Sequence, residues 1–119
     1  MQAHDVRAAL DAIPAGATGA DAFSRVETFG HGGIFVGRFS GQSPWERHRN
    51  GDELVHVLEG EVDITVLTDG EPVRATLRAG SIFVVPQGLW HRQLTRGEVE
   101  MMTATPQPTD VSWADDPRK

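Results

Sequence analysis

The sequence has no cysteine in its 119 residues. A disulfide framework and a thiolate metal site are therefore both excluded, and any metal must be held by nitrogen and oxygen. A basic surplus is missing too, with 17 acidic residues against 11 basic ones and a net charge of -6. No run of like charge or Lys/Arg stripe stands out, so the electrostatic footprint of a nucleic-acid partner is absent. No stretch approaches membrane-spanning length, and Met1 to Asp11 lacks an apolar signal-like core, so a soluble cytoplasmic protein without membrane contact is expected. There is no nucleophile triad, phosphate loop or nucleotide-binding motif.

What is present reads as one domain, since the length lies within the usual size of a single folding unit. Val6, Ala9, Leu10 and Ile13 recur at helical spacing and Pro14 closes the run, which predicts a short N-terminal helix. Residues 1–22 are read as that helix plus an Ala/Gly connector, 23–105 as a β-domain, and 106–119 as an irregular strap or partly disordered tail. Within the β-domain, short apolar runs alternate with turn signals, as in an all-β sandwich or barrel. Strands are expected near Val26–Phe29, Gly33–Phe39, Leu54–Glu59, Val62–Thr68, Val73–Leu77, Ser81–Val85, His91–Leu94 and Val99–Thr105. Asp69-Gly70 is a strong hairpin signal, and Arg96-Gly97 reads as a further turn. Leu54–Leu58 is apolar on both faces, Val55 and Val57 on one and Leu54, His56 and Leu58 on the other. Such a strand must be covered on both sides. A homodimer is the favoured cover for the outer face, with the N-terminal helix or the tail as the alternative.

Two segments carry chemistry. In Gly80-Ser-Ile-Phe-Val-Val-Pro86-Gln-Gly88-Leu-Trp-His91, a proline and a glycine fix a turn that aims an imidazole at the rim of the sheet. Upstream, His48 and Glu53 flank a turn at Gly51, with Gly60 following one strand later. Imidazole plus carboxylate is a donor set suited to Fe, Mn, Ni, Cu or Zn.

Together these segments resemble the cupin family, whose paired motifs read G-x5-H-x-H-x3-4-E-x6-G and G-x5-P-x-G-x2-H-x3-N. Gly80, Pro86, Gly88 and His91 match the second motif, with Thr95 at its asparagine position. Glu53, Gly60 and His48 match the first, Glu46 occupies its first histidine position, and Gly41 sits one residue late. The resemblance runs from about Phe35 to Thr105. It implies an all-β double-stranded β-helix, a jelly-roll or cupin barrel, behind the short N-terminal helix. It further implies a divalent metal (Fe, Mn, Zn or Ni) on His48, Glu53 and His91, with Glu46 as a fourth candidate ligand. Dioxygenase, isomerase, epimerase or lyase chemistry on a small polar molecule follows as the implied activity, with no catalytic residue assigned. A non-catalytic module that binds or senses a small ligand or metal is the alternative.

Other residues take lesser roles. Asp52 is expected to be structural, His56 to serve an interface or core hydrogen bond, and His4 and His31 to lie outside the site. Val55, Val57, Phe83, Val85 and Gln93 share the inward face and are candidate pocket residues. Trp45 and Trp90 flank the ligand segments as a possible rim. Arg38, Arg47 and Arg49 are candidates for meeting an anionic ligand, Arg38 foremost.

Overall fold

The fold is described from a computed structural model covering residues 1–119. Helix α1, Val6–Asp11, begins at Asp5, whose side chain accepts the Ala8 N–H at 3.0 Å, and it ends one turn before Pro14. It is shorter than the apolar spacing suggests, because Ile13 has already left the helix while still packing beneath it. The Ala/Gly connector contains one short 3-10 turn, Gly19–Ala22.

Nine strands follow: β1 Phe23–Phe29, β2 Gly32–Gln42, β3 Trp45–His48, β4 Glu53–Glu59, β5 Glu61–Val66, β6 Val73–Arg78, β7 Ile82–Val85, β8 His91–Pro106 and β9 Thr109–Ser112. Every pairing is antiparallel. Strand β8 is the spine and pairs with β2, β3, β4 and β5, while β1, β9, β7 and β6 extend those four in turn. The sheet curls on itself as a barrel of the jelly-roll type, the all-β fold expected from the sequence.

Two predicted strands, His91–Leu94 and Val99–Thr105, are one. The β2–β8 register jumps from Phe39↔Val99 to Gly41↔Thr95, so Arg96-Gly97 forms a bulge within a continuous strand rather than a turn. The Arg96-Gly97 turn expectation is corrected accordingly. Strands β3 and β9 are additional, and β9 lies inside the segment expected to be an irregular tail.

Inward residues alternate with outward ones along each strand. Val55, Val57, Val62, Ile64, Val66, Leu77, Val85, Val99 and Met101 fill the barrel. A second cluster lies outside it, where Leu10 and Ile13 pack on Val36 with Leu58 and Met102 beside them. Arg7 latches the helix to the sheet through a forked pair with the buried Glu100. The helix thus covers part of the outer face of β4. Leu54 and His56 remain half-buried next to Ile82 and Val84 on β7, which are 63% and 51% exposed. No helix is long and apolar enough to cross a membrane.

Candidate metal centre

The mouth of the barrel is assembled by zipping two loops together. The turn at 86–88 hangs on the loop at 48–52: the Gly88 N–H donates to the His48 carbonyl at 2.9 Å, and the Gln87 N–H to the Asp52 carboxylate at 2.8 Å. The Gln87 amide adds a bond to the Arg49 carbonyl at 2.7 Å. Gly88 has a φ of +79°, in the left-handed region where a side chain is strained, which accounts for glycine at this motif position. Asp52 is structural, as expected.

This arrangement places His48 at the end of β3, Glu53 at the start of β4 and His91 at the start of β8. Glu46 lies directly across from His91 in the β3–β8 register. Glu46, His48 and His91 each present a ligand atom within 4.8 Å of the others. Glu53 joins them, with Oε1 3.1 Å from His91 Nε2 and Oε2 3.4 Å from His48 Nε2. Glu46, His48 and His91 thus form one group, and Glu53 adjoins it through both histidines.

His48, Glu53 and His91 are 3%, 5% and 2% exposed, and with both imidazoles neutral the two Nε2 atoms and Glu53 Oε1 are acceptors that face one another with no donor between them. Leaving such groups unpaired in a dry interior costs about 1–3 kcal/mol each. Their other atoms are engaged. His91 Nδ1 faces the Leu89 carbonyl at 3.2 Å; a carbonyl only accepts, so Nδ1 carries a proton, and in the neutral ring the Nε2 lone pair turns to the site. His48 Nδ1 faces the Thr109 hydroxyl at 3.0 Å, and Glu53 Oε2 accepts from the Thr105 hydroxyl at 2.6 Å. Two imidazole lone pairs and a carboxylate oxygen aimed at one point form a donor set that could hold a divalent ion, so the residues present fit such a group.

Among the side chains themselves, the electrostatics are those of a carboxylate paired with two imidazoles. Burial alone would push the Glu53 carboxyl up, but His48 and His91 overcome it and hold the group down at about 2. Burial likewise opposes charge on His91, and the Glu53 carboxylate reverses this and raises it. Glu46 is raised, by desolvation first and then by the neighbouring charge of Glu53.

Several rim candidates have other work. Arg38 is tied to Glu98 at 2.9 Å and to the Ile13 carbonyl, on the outer side under the helix, and takes no part in the site. Arg47 and Arg49 both donate to Asp110. Trp45 is buried under Arg92, and the Trp90 ring lies under Arg47. His4 pairs with Glu27 at 3.2 Å on the surface and His31 is exposed. Gln93, inward and buried, keeps an unpaired carboxamide oxygen one step deeper than His91. Sequence reasoning did not single out Thr103, Thr105 or Thr109. The one available signal, for Thr103 and Thr105, was threonine at alternating, inward positions after Val99 and Met101 on β8; Thr109 on β9 had none.

The sequence profile for the cupin domain matches residues 39–105. The chain belongs to the cupin domain family. Germin-like protein 1-1 of Oryza sativa subsp. japonica is 38% identical to this cupin over 58 residues, 48% of this chain and 27% of the relative. The cupin thus spans about a quarter of the length of that curated relative. A Neisseria meningitidis protein of known structure superposes with a TM-score of 0.68 at 19% identity, covering 93% of this chain and 100% of the other. An oxalate oxidase structure is 26% identical with a TM-score of 0.56, covering 68% of this chain and 42% of the oxidase.

Proposed function

We propose that this cupin binds one divalent metal ion through His48, Glu53, His91 and Glu46 and acts as a metal-dependent enzyme on a small polar molecule. The observation that carries the reading is the convergence of two buried Nε2 lone pairs and Glu53 Oε1 with no hydrogen-bond partner among them. Four protein donors would leave a six-coordinate ion two positions for a ligand, and Glu46, half-buried, is the most exposed of the four. A bound ion of this kind supplies Lewis-acid or redox chemistry. The chain's own residues do the rest: Glu53 and the neutral imidazoles hold the ion, and apolar neighbours such as Val55 and Val85 keep bulk water from its inner side. Gln93 offers the pocket one unpaired acceptor. The likeness to oxalate oxidase supports a small oxygen-rich acid as substrate, and dioxygenase, isomerase or lyase chemistry falls within the same proposal.

The second reading is a binding or sensing module without turnover. It is favoured by the lack of a free acid or base beside the ligands once Glu46 is itself a ligand. A cytoplasmic homodimer is part of the proposal, supported by the exposed Ile82 and Val84 beside Leu54 and by the one-sided pairing of β7.

The test is the metal content of purified protein by elemental mass spectrometry, beside a His48→Ala/His91→Ala variant. Near-stoichiometric metal lost in the variant is expected. Equal emptiness of both proteins after reconstitution with metal would remove the metal-dependent enzyme reading and leave a barrel that binds a small ligand or is purely structural.

A further inference from the structure

Beyond the four candidate ligands, and resting on the metal-site reading, we propose that the segment from Thr103 to Asp110 sets the metal affinity. In this assignment Thr105 and Thr109 are positioning residues for Glu53 and His48. The first half of the argument is a buried hydroxyl chain. Thr105 Oγ1 donates to Glu53 Oε2 at 2.6 Å and accepts from Thr103 Oγ1 at 2.7 Å. Both threonines lie inside the barrel, with 8% and 4% exposure. A carboxylate turns freely about its last bond unless one oxygen is held. Here Oε2 is held, so it is Oε1 that faces the ion position.

The second half concerns β3, the strand that carries both Glu46 and His48. Its only paired position on β8 is Glu46↔His91. Its other edge is covered by β9 at every residue, from Trp45↔Ser112 to His48↔Thr109. Thr109 then meets His48 Nδ1 at 3.0 Å and fixes the turn of the ring. Asp110 clamps the residues on either side of that histidine, accepting from Arg47 at 3.0 Å and from Arg49 at 2.6 and 3.0 Å. The family match ends at residue 105, so Thr109 and Asp110 are supplied by a segment outside the shared domain. Partners of this kind orient a ligand and fix its tautomer, and losing one costs about 10–100-fold in metal affinity.

The experiment titrates full-length apo-protein with Co2+ alone and follows the visible absorption of the bound ion. Thr105→Val and Thr109→Val keep the side-chain shape and remove the hydroxyl; each is expected to weaken Co2+ binding about 10–100-fold. Thr105→Ser and Thr109→Ser are expected to restore it. Thr76→Val is the matched control, because Thr76 makes a bond of the same 2.6 Å length to Asp63 on the outer surface. It should bind as wild type does. Should a valine variant fail to fold, Asp110→Asn probes β9 from the surface and is expected to weaken binding several-fold. Valine and Asp110→Asn variants that match wild type would overturn the proposal and leave the metal site standing, as would serine variants as weak as the valine ones. A wild type that takes up no Co2+ would overturn the proposal and the metal reading together.

Discussion

A metal ion held by the folded site alone must raise the melting temperature, by an amount that can be worked out beforehand. The unfolded chain scatters His48, Glu53 and His91 and binds no ion at one point, so free ion at 100 times its Kd adds about 2.7 kcal/mol to stability. Unfolding entropy near the midpoint is about 2.1 cal/mol/K per residue, which for 119 residues gives about 250 cal/mol/K. One kcal/mol then moves the midpoint by about 4 °C, and saturation to 100 times Kd moves it by about 11 °C. The assay is calorimetric or fluorescence melting with Mn2+, Fe2+, Co2+, Ni2+ or Zn2+, each variant being referred to its own metal-free midpoint. That reference matters, because removing an imidazole leaves the buried Glu53 short of a partner and lowers the baseline by several kcal/mol. His48→Ala/His91→Ala should show no shift, although His4, His31 and His56 remain. An equal shift in wild type and double variant would refute the reasoning, since the ion would then be held by surface histidines. No shift with any of the five ions would refute it too.

Glu46→Ala should weaken Co2+ affinity about tenfold and, by removing a negative charge, lower the preference for harder ions; titration with Co2+ and Mn2+ reads both. Gly60→Ala should destabilise by about 2 kcal/mol or more in chemical denaturation, because the residue sits at φ +82° with its new Cβ 2.5 Å from the Glu98 carbonyl oxygen. Acid should loosen the clamp on β3. Arg49 and Arg47 hold Asp110 down at about 2, and Arg7 holds Glu100 below its ordinary value. Groups depressed in the folded state contribute stability that is fully present above their unfolded values near 4 and is lost as pH falls toward 2. Melting of metal-free protein should therefore be flat in this contribution from pH 7 to 5 and fall below about 4.5, and Asp110→Asn should flatten the fall.

Much of the site was legible because its ligands stand at element ends marked by residues with backbone constraints. Pro86 and Gly88 announce the turn before His91, and Gly51 marks the turn before Glu53. What escaped was β3, for a physical reason: Glu46 and His48 share the face that meets at the site, where a strand normally places apolar residues, and its one apolar residue, Trp45, is buried on the other face with Arg47. Its hydrophobic alternation is inverted, so a search for apolar periodicity passes over it. Strand β9, Thr-Asp-Val-Ser, is too short and too polar to announce itself, and it is held by register with β3 and by two arginines. The bulge at Arg96-Gly97 was read as a turn because glycine after a charged residue looks the same in both, and only the pairing of β2 on each side separates them. The fate of Leu58 could not be read locally either, as its cover arrives from Leu10 and Ile13 nearly fifty residues away.

Strand β8 carries a kinetic consequence. One strand serves four neighbours, and it brings His91 to the mouth at one end and Thr105 at the other. The curled sheet cannot be completed before β8 docks, and β8 is made after every strand it pairs with. During synthesis a metal would therefore meet no finished set of candidate ligands until His91 and the rest of β8 have emerged. An ion bound there would act as a latch on the closed barrel, and exchange of β8 amides with solvent should slow as a single block when it is bound.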